Sequence, residues 1–580
     1  MGKIYKIEYS KENLEKLYSI RINKNDYEGA LCVIDTMRKY YITDYLVYEK
    51  YATIYYNIEE YDKAVNYWYL YLSACPNNLV SKAYNGLGAC FYKMDNNDLA
   101  SYYFNEQLNS NQKGNYAYND VIIDFYDEIS DIKKEFYLAY PYEKANFDKL
   151  LSKVVLYIKS GYYEKALDCL EIIPEKSKYY VDALIQKALC KYLIGNTNEA
   201  LKDISLAVSL DKDNIIALFN AISMFYSCGK TLETEKLLIN LKNSKEYNNP
   251  EHFEKTAMIY CEIKDYKTAE EFLDKCLKIN PNKLNVLQLN AITKFNLGKY
   301  EESLNLFSRK YRIDKNYISK YYLDLVKKAI INAGKGEISS ILDYTFDVQN
   351  KEYKKIIKQF NKFIEHDLID KKHYLKVKNI IDYAFVSRDI KLQIKSINIL
   401  KKLDENTAIE LSCNYLLKSE TFDTVKRMLI SLVVNKGYEG NLPFIFGNLF
   451  KKLYILQPKF SIVKDSRVFK EAYCECISKI APLEKDITLI CSTTNLVMER
   501  LKDSKYLEVI DDISSLSAVI YELSEIKQIK SRRAFLNFFN ANQKTVKKYK
   551  DYINESDYLV NDEFEALLNE IASSLDNEEK

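Results

Sequence analysis

The chain has 580 residues, more than one compact core accommodates, so several domains or an extended array are expected. Its formal charge is +2, with 84 basic against 82 acidic side chains, which excludes a global field that recruits nucleic acid or membrane. Only 14 glycines and 8 prolines, with apolar residues spaced at i, i+3 and i+4, point to an almost all-α protein.

The opening "MGKIYKIEYSKENLEKLYSI" lacks the apolar run of a signal peptide, and Lys6 argues against myristoylation. No stretch approaches about 18 uninterrupted apolar residues, so no membrane span and a cytoplasmic location are expected. Twelve scattered cysteines form no CxxC pair and read as reduced, buried small hydrophobes, with Cys474 and Cys476 the one close couple. Fifty-three tyrosines against one tryptophan fit the codon usage of an AT-rich genome. They also fit a peptide groove that uses tyrosine's apolar body and polar tip.

Residues 1–10 read as a lead-in, and residues 1–112 as N-terminal helix-pair repeats. The first is marked by Tyr27 and Ala30, the second by Ala52, Tyr55, Tyr61, Ala64, Trp68 and a closing Pro76, and the third by Leu87, Gly88, Phe91, Ala100 and Phe104. Residues 113–146 lack the small-residue pattern and are expected as an interruption, a helix near 118–130 followed by an extended segment around Pro141. Such a break would kink the array or lay a strand across its groove.

Register returns at 147–335. Gly161, Gly195, Gly229 and Gly298 lie 34, 34 and 69 residues apart, the 69 being two periods with Lys264 at the missing glycine position. A period near 34 means repeated helix pairs, predicted here at 147–180, 181–214, 215–249, 250–283 and 284–317. Five residues after each turn position stands a small residue, Ala166, Ala200, Thr234, Ala269 or Ser303, where a larger one would overpack the contact between helices. These residues and their spacing resemble the tetratricopeptide repeat (TPR) family.

That resemblance implies an α-solenoid whose concave side is lined by fixed positions of each first helix, and a non-enzymatic role as a scaffold for protein or peptide partners. Carried onto this chain, the groove residues are Tyr56, Tyr92, Ile185, Leu189, Tyr192, Phe219, Ser223, Tyr226, Gln288 and Phe295. The Lys, Asn and Arg clamp with which co-chaperone members hold a terminal carboxylate is missing. The aromatic ladder is open to two readings, a surface for an amphipathic helix or apolar peptide, or packing between adjacent repeats.

The TPR match fades after about Leu325, and a linker is expected near 335–352. Residues 353–480 read as irregular, HEAT-like helices, with "NKGYEGNLPF" and its Gly437, Gly440 and Pro443 as the most evident loop. His252, His366 and His373 are too few and too widely spaced for a metal site, even with Asp367 and Asp370 nearby. "AGKGEISS" lacks phosphate-loop spacing, and no GxSxG, HExxH or GxGxxG occurs, so no catalytic residue, metal or cofactor is expected.

Residues 485–558 change character. Between 526 and 550 stand eight basic residues and no acidic one, among them Lys527 and Lys530. Helices are predicted at 515–526, 531–539 and from Gln543, with a turn at Asn540, Ala541 and Asn542; the arrangement resembles a helix-turn-helix unit. Gln543, Lys544, Lys547 and Lys548 would face DNA, opposite an apolar face of Val546, Tyr549 and Ile553. Leu536 and Phe539 are bulkier and Ala541 smaller than that family's usual choices, and a purely structural or protein-contacting unit stays open. The alternative function is therefore a peptide- or protein-responsive transcriptional regulator. Residues 559–580 read as an acidic tail, able to screen the basic segment or simply to keep the terminus soluble.

Overall fold

The computed structural model describes residues 10–40, 45–110, 136–139, 143–159, 161–336, 339–345, 347–365, 374–463, 466–484, 486–502, 504–526 and 531–555. Helices come in antiparallel pairs. The first three are α1 (Lys11–Asn23) with α2 (Tyr27–Tyr40), α3 (Tyr45–Asn57) with α4 (Tyr61–Ala74), and α5 (Val80–Lys93) with α6 (Asn97–Ser110). Five more follow: α7 (Phe147–Lys159) with α8 (Tyr163–Glu171), α9 (Tyr180–Ile194) with α10 (Thr197–Leu210), α11 (Ile215–Ser227) with α12 (Thr231–Asn243), α13 (Phe253–Glu262) with α14 (Tyr266–Ile279), and α15 (Leu284–Asn296) with α16 (Tyr300–Ile313). These are the five pairs that the 34-residue period predicts.

One left-handed residue closes the turn in each pair. Glycine supplies it at 161, 195, 229 and 298, and Lys264 adopts the same region at φ 63°. Asn25, Glu59 and Asp95 do so in the N-terminal pairs, so the turn geometry persists where glycine is absent. The small residues predicted on each second helix, including Ala30, Ala64, Ala100, Ala166, Ala200 and Ala269, are fully buried against the first. At Gly88 an added Cβ would stand 2.4 Å from the Phe104 ring, so α5 and α6 touch there through glycine alone.

The pairs do not form one uninterrupted stack. Residues 147–289 bury three small cores, whereas the core of the first three pairs is continuous with that of helices from Leu284 to Ile553. The N-terminal pairs thus dock onto the far end of the 147–316 array. Glu60 Oε1 accepts from the Leu284 N–H at 3.1 Å, placing a carboxylate on the positive end of α15. Glu28 takes Arg309 and Arg312 at 3.0 and 2.8 Å, Lys63 meets Asp314 at 2.9 Å, and the Tyr55 hydroxyl donates to the Ile313 carbonyl at 2.9 Å.

After the array run α17 (Tyr317–Ala333), α18 (Asn350–Glu365), α19 (Tyr374–Val386), α20 (Ile390–Leu400), α21 (Glu405–Leu416) and α22 (Asp423–Asn435). The irregular linker expected between α17 and α18 is held by side chains of the repeat array. Asn296 holds both backbone groups of Leu342, accepting from its N–H at 2.7 Å and donating to its carbonyl at 3.0 Å. The Tyr344 hydroxyl donates to Glu262 at 2.5 Å.

The loop expected around Gly440 and Pro443 is a β-strand. β1 (Phe136–Ala139) and β2 (Glu143–Asn146) form one antiparallel hairpin, and β3 (Gly440–Phe446) and β4 (Leu449–Ile455) form another. Gly447 and Asn448, both at positive φ, make the two-residue turn that suits right-twisted strands. Leu442 and Phe444 are buried on one face and Ile445 on the other, and Pro443 is tolerated because each strand of a two-stranded ribbon is an edge. The Asn448 carbonyl then accepts from Tyr69 and Tyr103 at 2.8 and 2.6 Å, fastening the hairpin tip to the N-terminal pairs. Within the interruption, the extended segment is the β1–β2 hairpin, while the helix predicted at 118–130 lies outside the described residues.

The last unit comprises α23 (Arg467–Ile480), α24 (Thr488–Leu501), α25 (Ile513–Leu523), α26 (Arg532–Phe539) and α27 (543–555). Asn540 ends α26 in the left-handed conformation, and Asn542 caps α27 by accepting from the Lys544 N–H at 2.9 Å. Val546, Tyr549 and Ile553 are buried, and Gln543, Lys544, Lys547 and Lys548 are exposed.

Asp314 sits at the centre of the docking contact. Burial alone would raise its pKa, but Lys63 and Lys310 outweigh burial and hold it below the usual carboxylate value. Its stabilising contribution is therefore present above the unfolded-state pKa and lost as pH falls through the depressed folded-state value. Asp314→Asn is expected to cost on the order of 3 kcal/mol, because it strands a largely buried Lys63. Urea denaturation against pH checks this, with the variant showing a shallower loss of stability on the acid side than the parent.

Candidate functional site

Docking of the N-terminal pairs onto α16 and α17 encloses a cavity of about 1370 Å³. Its walls come from α2 and α4 (Arg38, Lys63, Asn66, Tyr67), α16 and α17, the start of α18 (Lys351, Glu352, Lys355), α19 (Leu375, Lys378, Asp382) and α21 with the residues after it (Asn414, Tyr415, Lys418, Glu420).

The helix α17 contributes most. Ile318, Tyr322 and Val326 face the core, whereas Tyr317, Lys320, Tyr321, Asp324, Leu325, Lys328 and Asn332 line the cavity at helical spacing. One amphipathic helix thereby lays a strip of tyrosine and lysine along the wall.

The lining holds nine cationic side chains against five carboxylates, a surplus of four positive charges. Most of the carboxylates are engaged. Asp314 meets Lys63, Glu352 accepts from the Tyr317 hydroxyl at 2.7 Å and from Lys355 at 3.0 Å, Asp382 accepts from the Tyr415 hydroxyl at 2.7 Å, and Glu420 accepts from Asn66 at 2.9 Å. Lys315 pairs with Asp35, and Lys418 lies over the Tyr415 ring at 5.2 Å. Lys320, Lys328, Lys351, Lys378 and Arg38 form no ion pair with the described residues.

Beneath this wall Lys310 is buried, its Nζ donating to Ser319 at 2.9 Å, and burial pushes its pKa below the lysine value. Burial likewise raises the Glu60 carboxyl. Some ring faces in the cavity are taken: Tyr67 stacks on Tyr51 and Tyr55 at 4.5 and 5.4 Å, and Tyr415 stacks on Phe385 at 3.9 Å, while Tyr317 and Tyr321 make tilted or edge contacts.

The groove residues expected from the repeat pattern lie in different surroundings. Ile185 is buried in the core of α9, α10 and α11. Phe295 is buried edge-on to Tyr300 at 5.0 Å and is the one member that also lines the cavity. Leu189, Tyr192, Phe219, Ser223, Tyr226 and Gln288 are half-buried. The Tyr192 hydroxyl lies 2.7 Å from Ser227 in the next repeat, and Ser223 donates to Glu262 at 3.3 Å. Tyr56 and Tyr92 are half-buried on the N-terminal pairs. The cavity residues escaped the repeat reading because most belong to helices beyond the periodic region. The i, i+4, i+8 series Lys320, Asp324, Lys328, flanked by Tyr317 and Tyr321, is the signal that could have found them.

No group of three or more His, Cys, Asp and Glu side chains among the described residues is arranged to hold a metal ion. His252 contacts Glu246 at 2.6 Å, while His366 and His373 lie outside the described residues. No helix among the described residues is long and apolar enough to cross a membrane. All twelve cysteines are unbridged, and burial raises the Cys474 and Cys476 thiols above their usual value.

The helix pairs, each closed by one left-handed residue, form an all-α repeat array. No family model and no curated protein sequence matches the chain. Similar solved structures include a tetratricopeptide repeat protein from Parabacteroides merdae ATCC 43184, 18% identical over 50% of this chain and 98% of that one, at a TM-score of 0.27. MamA from AMB-1 is 18% identical over 29% of this chain and 98% of its own, at 0.23. The TPR2AB-domain:pHSP90 complex of yeast Sti1 is 11% identical over 52% of this chain and 97% of that one, at 0.20.

Proposed function

We propose that the protein is a non-enzymatic TPR-type scaffold that holds a segment of a partner protein in the cavity between its N-terminal repeats and α16–α21. The observation that carries this reading is the cavity itself. At about 1370 Å³ it exceeds the roughly 300–1,000 Å³ of small-molecule sites. Unpaired cations and tyrosine edges converge on it from separate parts of the chain, as a partner-recognition surface requires.

The half-buried wall at Leu189, Tyr192, Phe219 and Tyr226 offers a second contact, consistent with the groove role that the repeat pattern implies. Crosslinking with mass spectrometry on the full chain separates the two surfaces. Plugging the cavity with Asn332→Trp and Leu375→Trp is expected to abolish most partner crosslinks, whereas Tyr192→Ala with Tyr226→Ala is expected to weaken them with the fold intact. Equal capture by the plugged variant and the parent would move the site elsewhere.

A second reading rests on the exposed row Gln543, Lys544, Lys547 and Lys548 of α27, none of which is engaged in an ion pair among the described residues, while Arg532 and Lys550 pair with Glu522. In that reading the row contacts DNA phosphates and base edges. A salt titration of duplex binding by the full chain is then expected to give a steep slope that flattens in Lys544→Gln/Lys547→Gln/Lys548→Gln. Absence of salt-sensitive binding would falsify it.

A further inference from the structure

We infer that the partner segment held in the cavity is acidic, an extended peptide with Asp or Glu interspersed among apolar residues. This inference rests on the scaffold reading above and adds the chemistry of the guest. Lys320 and Lys328 from α17, Lys351 from α18 and Lys378 from α19 reach one cavity from three helices and have no ion-pair partner among the described residues. The carboxylates beside them are mostly committed to tyrosine hydroxyls, an asparagine amide or neighbouring lysines. The wall therefore carries a net surplus of four positive charges, and Leu325 and Leu375 line it as well. Cations from separate helices together with apolar side chains complement a chain that carries both discrete acidic charges and apolar side chains.

Single-stranded nucleic acid fits this lining less well. Binding without sequence preference depends on open aromatic faces for bases, and of the lining rings Tyr67 and Tyr415 are already stacked on others, leaving Tyr317 and Tyr321 on one helix. A continuous phosphate backbone would also run past Asp324 and Glu352, whereas a peptide can place apolar residues opposite them.

Fluorescence anisotropy on the full chain tests the assignment with three labelled probes: a 12-residue peptide with Glu at alternate positions and leucine or serine between, its Gln counterpart, and a 12-nucleotide single-stranded RNA. The Glu peptide is expected to bind roughly tenfold or more tighter than the Gln peptide, with affinity falling as salt rises. Lys320→Gln/Lys328→Gln/Lys351→Gln/Lys378→Gln should remove that preference while leaving the melting curve of the full chain unchanged. Equal binding of Glu and Gln peptides, tighter binding of the RNA, or no binding of the Glu peptide by the parent overturns the acidic assignment. If the plugged variant loses the Glu peptide but the four-lysine variant keeps it, the location stands and the charge argument fails. If the plugged variant binds it as the parent does, the cavity itself is not the site.

Discussion

The molecule depends on one contact, the meeting of the α3–α4 turn with the ends of α15 and α16. Glu60 satisfies a backbone N–H at the start of α15, and Lys63 neutralises Asp314 just beyond α16. Lys310 and the Asn316 amide help Lys63 to offset the burial of Asp314, whereas burial raises the Glu60 pKa even with Lys63 nearby. A charge cluster of this kind adds little net stability compared with an apolar contact, but it tolerates very few alternative arrangements. It therefore sets the register in which three N-terminal repeats, ending at Ser110, join a core that resumes at Leu284.

Around that contact the remaining interactions read as consequences of register. Once α4 lies against Asp314, Asn66 is in reach of Glu420 and the Ser419 N–H, and Tyr69 and Tyr103 reach the Asn448 carbonyl at the hairpin tip. The hairpin tip is well suited to this, because a two-residue turn with both φ values positive points its carbonyl outward without disturbing the strand ladder. The cavity is the space this closure cannot fill. Of the acidic residues in its lining, Asp314 and Glu420 are engaged across the seam and Glu352 and Asp382 within the helices beyond it.

The repeats were legible because their constraint is local and periodic. A small residue five positions after each turn and a residue able to adopt positive φ are requirements of one helix pair, and Gly161, Gly195, Gly229 and Gly298 state them openly. The same turn at Asn25, Glu59 and Asp95 was harder to see, since a non-glycine residue in that conformation leaves no compositional mark. The apolar and basic faces of α27 were also readable, as Val546, Tyr549 and Ile553 recur at helical spacing on one side. What sequence could not supply was the pairing of distant surfaces. Nothing near Lys63 announces Asp314, and Gly440 with Pro443 suggested a loop because local propensity carries no information about the buried alternation that Leu442 and Phe444 find on docking.

The segment that crosses the array bears on where a guest can sit. Asn296 pairs with both the N–H and the carbonyl of Leu342, the arrangement by which a side chain amide holds an extended backbone whatever its sequence, and Tyr344 bonds to Glu262 one repeat earlier. The inner ends of α13 and α15 thus already carry a piece of the protein's own chain, which a partner would have to displace at the loss of three hydrogen bonds and the burial of Leu342. The cavity imposes no such exchange. Closure of the seam forms the cavity, and the Leu342–Tyr344 segment covers part of the repeat wall.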